Sequence, residues 1–179
     1  METTVNTKWV VDPTHSEVHF KVKHLVISTV TGTFKVFGGE LLTESEDFEN
    51  AEIEFSLDVA SIDTNQEQRD EHLKSADFFN SAEYPKISFK STAFKKDGDD
   101  YQLLGDLTVK DVTKPVKLDV EFGGAATDFY GNEKAGFEVT GKINRKDFGL
   151  TWDGITEAGA IVVGEDIKLS INLQLVKQA

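Results

Sequence analysis

Apolar and polar side chains alternate with period two along most of the chain, the pattern of strands with one covered face and one wet face. In residues 18–26, Val18, Phe20, Val22, His24 and Val26 fall on one side and His19, Lys21 and Lys23 on the other, so a histidine stands in an apolar row. Residues 33–41 (TFKVFGGEL) read as a strand broken by Gly38 and Gly39. Ala51, Ile53, Phe55, Leu57 and Val59 alternate with Glu52, Glu54, Ser56 and Asp58, and similar rows run through 87–93, 101–109, 116–122, 137–143 and 167–175. Turn-rich pieces such as KDGD at 96–99 and FYGN at 129–132 separate them. The count is about eight antiparallel strands, and a sheet of that size removes its exposed edges by curling into a barrel. Glycines inside the rows, at Gly38, Gly39, Gly105 and Gly141, suit the bends such curvature needs.

One segment breaks the rhythm. TNQEQRDEHLKSADFF, from Thr64 onward, predicts a short helix near residues 65–76, with Thr64 and Glu67 as a capping box. Arg69, His72, Leu73 and Ala76 share one face of it, and Asp70 and Lys74 form an exposed i, i+4 pair. A helix between two barrel strands lies across the mouth or the flank. With no repeat, low-complexity tract or linker, residues 1–179 read as a single domain.

The absence of cysteine excludes disulfides, thiolate metal sites and cysteine nucleophiles. A formal net charge of -13 argues against nucleic acid and against anionic membrane surfaces as partners. No run approaches the ~20 apolar residues of a membrane helix, so stable membrane insertion is not expected. The N-terminal METTVNTKWVVDP lacks a basic start followed by an apolar core. The chain as written is therefore expected to be cytoplasmic, or periplasmic if a leader has been removed.

The blocks WVVDPTHSEVHFKVKHLVIS, TGTFKVFGGEL, SIDTNQEQRDEHLKSADFFNSAEYPKISF, GDLTVKDVTKPVKLDV and INRKDFGL closely resemble, in order from about Trp9 to Val176, those of the YceI family of polyisoprenoid-binding, lipocalin-like proteins. The resemblance implies an all-β, extended eight-stranded antiparallel barrel with a long apolar cavity. It also implies that the cavity holds a polyisoprenoid or a related amphiphile such as a quinone precursor, with no metal and no cofactor. Family members are often homodimers, and many are periplasmic.

The candidate ligand-binding residues are Phe20, Val22, His24, Phe34, Phe55, Phe89 and Phe137 from the strand rows and Arg69, His72 and Phe78 from the helical segment. Small residues beside the large ones, such as Ala51, Ala93, Gly105 and Gly141, leave room along the axis. His24 reads either as a satisfied core histidine, paired with a carbonyl or a carboxyl such as Asp12, or as a polar contact to a head group. Arg69 either ties the helix to the barrel through a carboxylate while His72 caps a loop, or the two meet a pyrophosphate or quinone carbonyl at the cavity mouth. Arg145 and Asp147 read as a structural pair, and Phe78, Phe79 and Tyr84 as core or as a hydrophobic gate. A His15/His19/His24 metal site is opposed by the parity of His24, and Ser16 beside His15 lacks the third group a hydrolase needs. The function expected is a lipid carrier or store rather than an enzyme. The alternatives are an enzyme acting on an isoprenoid-like lipid and a ligand-free interaction module.

Overall fold

The alternating rows fold into one antiparallel sheet that closes on itself. The computed structural model describes residues 6–25, 27–44, 47–152 and 163–178, so Val26 of the first row lies outside the described residues. Its strands are β1 (Thr7–Val11), β2 (Glu17–His24), β3 (Ser28–Phe34), β4 (Phe37–Thr43), β5 (Glu52–Asp58), β6 (Ile62–Asp63), β7 (Lys86–Asp97), β8 (Asp100–Val109), β9 (Val112–Thr127), β10 (Glu133–Asn144) and β11 (Val163–Lys177). Ladders run in the order β1-β4-β5-β7-β8-β9-β10-β11, and β11 pairs back onto β1. Eight strands thus form a ring without an edge, the barrel read from the sequence.

The other three strands continue ring positions past a bend. β11 pairs with β1 near Leu175 and with β2 further back along its length; β4 and β3 divide the next position in the same way, and β6 continues β5. Two of the bends lie side by side. The Lys35 N–H donates to the Ser61 carbonyl at 3.2 Å, and the Asp58 N–H donates to the Val36 carbonyl at 2.9 Å. At the bend between β1 and β2 the buried Ser16 hydroxyl accepts from the Gln174 N–H at 2.9 Å, replacing a ladder bond. Ser16 is a structural hydroxyl.

Four sequence expectations are corrected here. The break in residues 33–41 falls at Lys35 and Val36, not at Gly38 and Gly39, which both lie inside β4. Phe34 and Phe37 both pack inward at a spacing of three, which an unbroken strand of period two does not allow. The helix, α1 (Glu67–Lys74), is shorter than residues 65–76. Its first turn is closed by Asp70 Oδ1, which accepts from the Thr64 N–H at 2.8 Å and the Thr64 hydroxyl at 2.5 Å, so Glu67 is not the capping partner. Lys74 pairs with Glu71 at 3.3 Å rather than with Asp70.

One end of the barrel is solid. Phe48, held in a left-handed backbone conformation (φ 65°), is buried there among Trp9, Phe122 and Phe137, with ring centroids 5.3–5.7 Å away. Tyr101 stacks on Phe94 at 4.6 Å and donates its hydroxyl to the Asp47 carbonyl, and the Asn50 N–H donates to the Phe94 carbonyl at 2.8 Å. The segment around Phe48 is thereby fixed as a plug.

An ionic clip ties the first bend to the β9–β10 hairpin. Asp12 Oδ2 meets His15 Nδ1 at 2.8 Å, and Lys134 Nζ stands 3.6 Å from Asp12 and 3.5 Å from Asp128. Hydrogen bonds from His15 and then Thr14 hold the Asp12 carboxyl well below the usual carboxylate range. Asp128 is lowered chiefly by the Asn132 and Tyr130 N–H groups. Because both folded-state values are depressed, the stabilisation is complete above the ~3.9 of an unfolded aspartate and is lost as pH falls through the folded values. Urea unfolding between pH 7 and pH 3 is expected to show stability declining from about pH 5 downward. Asp12→Asn should lower the midpoint at neutral pH and flatten that decline; an acid limb as steep as in the parent protein would contradict this assignment.

Candidate functional site

Between the aromatic plug and α1 the inward rows fail to close on one another. They enclose a cavity of about 200 Å³ whose wall exposes only apolar atoms. A second space of about 50 Å³ lies toward the plug and shares Ile53, Phe55, Leu103, Val139 and Leu173 with the first. An apolar cavity of ~150 Å³ lined by Leu, Ile and Phe stays dry and takes up benzene. This one is larger and equally apolar.

The ring of strands supplies the wall: Val18, Phe20 and Val22 from β2, Phe55 and Leu57 from β5, Ile87 and Phe89 from β7, Leu107 from β8, Leu118 from β9 and Ile167 from β11. Each comes from the inward parity of its strand. At the mouth, Leu73 of α1 and Phe78 and Phe79 just after it meet Phe148 and Leu150, which follow β10. β6 pairs with β3, and α1 lies in the connection that carries the chain from β6 to β7. The helical segment covers the part of the wall where those two strands make no ladder.

Arg145 borders the cavity and is 2% exposed. Its Nε donates to the Gly164 carbonyl at 2.7 Å, Nη1 to Leu150 at 2.6 Å and Trp152 at 2.8 Å, and Nη2 to Val163 at 3.0 Å. The guanidinium joins the chain leaving β10 to the start of β11. The expected Arg145–Asp147 pair is corrected: the hydrogen-bond partners found among the described residues are main-chain carbonyls, and Asp147 is exposed on the 3-10 turn. A flat donor fork suits several converging carbonyls as well as it suits a carboxylate.

Six of the ten candidate ligand residues, Phe20, Val22, Phe34, Phe55, Phe78 and Phe89, lie on the cavity wall. The other four stand elsewhere. Phe137 has the inward parity but sits deeper, against Phe48 and the smaller space. His24 is the last residue of β2, half-buried opposite Val163 and beyond the cavity wall. Asp12 is not its partner, since Asp12 lies at the other end of β2 and is held by His15 and Lys134. Arg69 folds back onto Thr64, with Nε 2.7 Å from the hydroxyl and Nη2 2.5 Å from the carbonyl, so it neither reaches the lumen nor ties α1 to a strand carboxylate. His72 lies over the mouth: Nε2 meets Asp77 Oδ2 at 2.9 Å, and its ring stands edge-on to Phe78 and Trp152, with centroids 5.2 and 4.7 Å away.

Of the remaining histidines His15 is exposed, and His19, half-buried, also borders the cavity. His19 Nε2 meets Glu17 at 2.9 Å, and both Asp12 and Thr14 approach the same Nδ1 of His15, so that ring cannot relay a proton from one to the other. Among the described residues no group of three or more His, Asp or Glu side chains is arranged to hold a metal ion. Phe148 and Leu150 are wall residues the sequence reading did not single out, and Arg145, read there only as the partner of Asp147, borders the same wall. The available signal was an arginine in INRKDFGL, from a chain with only two arginines.

The family model described as YceI-like domain matches residues 9–175. The chain is 40% identical over 164 residues to the protein YceI of Escherichia coli O17:K52:H18 (strain UMN026 / ExPEC), covering 92% of this chain and 83% of that relative. A crystal structure of a Campylobacter jejuni YCEI protein is similar with a TM-score of 0.73 at 32% identity, over 100% of this chain and 99% of that one. A polyisoprenoid binding domain from Saccharophagus degradans, implicated in plant cell wall breakdown, shares the fold with a TM-score of 0.67 at 16% identity, over 95% and 98% of the two chains.

A hollow segment beside a solid one gives a direct contrast in stability. Leu107→Phe adds volume at the cavity wall and should change the unfolding free energy by less than about 1 kcal/mol, whereas Ala135→Leu, at a position 1% exposed in the plugged end, should cost about 1–3 kcal/mol. Urea denaturation of the two variants checks this; equal losses would mean that the cavity end is packed as tightly as the plug.

Proposed function

We propose that this chain, which belongs to the YceI-like domain family, binds the apolar chain of a polyisoprenoid or a related amphiphile such as a quinone precursor inside its barrel and thereby sequesters or carries it. The observation that carries the reading is the apolar-walled cavity between the plug and α1. The polyisoprenoid binding domain of S. degradans, built on the same fold, supports it.

Burial supplies the affinity. Each methylene removed from water contributes ~0.8 kcal/mol, so ten methylene equivalents give ~8 kcal/mol gross. That is comparable with the roughly -8 kcal/mol of a micromolar complex before the costs of ordering and immobilisation. The lumen needs no polar contact for this, and among the described residues its wall exposes no polar atom. The tail runs toward the plug along Phe20, Phe55 and Phe89, and the head group stays at the end covered by α1, where His72 and Asp77 stand outside the apolar wall. Such a wall favours binding over turnover, since among the described residues it exposes only apolar atoms to the buried chain. The ligand-free alternative calls for a filled interior, and the cavity favours the binding reading over it.

Native mass spectrometry of gently purified protein, paired with organic extraction and lipid analysis, tests the reading. The expected result is an added mass that disappears on extraction and is recovered as a prenyl lipid. The same spectrum counts the chains per particle, for which the family resemblance leads us to expect two. Protein that carries no lipid and takes up no added geranylgeraniol would refute the proposal.

A further inference from the structure

Four inward-facing glycines lie under large side chains of the cavity wall. Gly32 of β3 stands directly opposite Phe20 of β2, and a Cβ there would be 2.2, 2.5 and 2.9 Å from Cζ, Cε1 and Cε2 of the Phe20 ring. At Gly141 of β10 a Cβ would be 2.3 Å from Cδ2 of Leu118, at Gly105 of β8 it would be 2.3 Å from Cζ of Phe89, and at Gly39 of β4 it would be 2.8 Å from Cδ2 of Phe55. Phe20, Phe55, Phe89 and Leu118 all line the cavity. Each therefore lies down along the wall, over the space a neighbouring Cβ would fill, instead of projecting into the lumen.

The four positions are not alike. At Gly39 and Gly105 a main-chain oxygen also intrudes, Glu54 O at 2.7 Å and Lys90 O at 2.6 Å, so those glycines serve the close approach of the adjacent strand as well. At Gly32 the nearest atoms all belong to the Phe20 ring, and at Gly141 the next contact after the Leu118 methyl is 3.6 Å away. There the missing Cβ serves the side chain alone.

We propose that Gly32 and Gly141 set the bore of the cavity, and that this bore selects a methyl-branched prenyl chain over a straight alkyl chain. The inference rests on the lipid-binding reading for its ligand but on the glycine contacts for its geometry. A prenyl chain carries a methyl branch in every unit and needs a wider channel than an n-alkyl chain. A Cβ at either glycine moves the overlying group by about an ångström or more to regain ordinary contact, and for Phe20 the open side is the lumen.

The test uses delipidated full-length protein, as the parent, Gly32→Ala, Gly141→Ala and the double variant, titrated with geranylgeraniol and with hexadecan-1-ol, whose main chains are equally long. The double variant is expected to lose about tenfold or more in affinity for geranylgeraniol and less than about threefold for hexadecan-1-ol, the scale of a methylene-sized misfit in an apolar pocket. Adding Phe20→Leu to Gly32→Ala should restore prenyl binding, which a merely misfolded variant would not do. Crystal structures of the single variants should show the Phe20 ring and the Leu118 methyl displaced inward and the cavity reduced. Equal losses for the two alcohols, or a ring and methyl that keep their places, would overturn the inference. A parent protein that binds neither alcohol would refute the lipid-binding reading instead, and the variant structures alone would then decide whether the glycines set the bore.

Discussion

A closed ring of antiparallel ladders fixes how wide the interior is. With eight strands tied in register, the cross-section follows from strand number and tilt, and side chains can only decide how much of it is filled. This barrel divides the answer along its axis. Toward one end Trp9, Phe48, Phe122 and Phe137 point their rings at one another and occlude the bore. Toward the other, Phe20, Phe55 and Phe89 lie over glycines of the neighbouring strands, and the same residue type leaves a lumen. Whether a phenylalanine fills or lines the tube depends on what stands beside it.

Keeping a lumen open gives up close packing, and the polar groups around it compensate by fixing the frame. Arg145 gathers the carbonyls of Leu150, Trp152, Val163 and Gly164 beside the mouth. Ser16 replaces a ladder bond where β1 bends into β2, and Thr64, Arg69 and Asp70 lock the start of α1 to the strand before it. Every one of these contacts lies outside the apolar surface. Polar groups therefore hold the shape, while the wall remains free to exclude water and accept hydrocarbon.

Period two placed Phe20, Phe55 and Phe89 on the inside, because parity along a strand is a local property. It could not say how deep along the axis a residue lies, so Phe137 has the inward parity yet belongs to the plug, and His24 stands in an apolar row yet ends its strand beyond the wall. The strand breaks escaped for a related reason: the three-residue step from Phe34 to Phe37 is visible only once both are known to face inward. Phe48 comes from a segment without periodicity, and only the folded chain brings it to Trp9 and Phe137. Arg69 and Arg145 could be recognised as organising residues, but their partners are largely main-chain carbonyls, which leave no mark on composition.

The most direct test of a hollow interior is a crystal of delipidated protein pressurised with xenon. An empty apolar cavity takes up xenon, whereas a filled core does not. The account requires xenon density between Phe20, Phe89 and Leu107 and none among Trp9, Phe48 and Phe137. Xenon absent from the first position, with side chains or ordered water in its place, would contradict it.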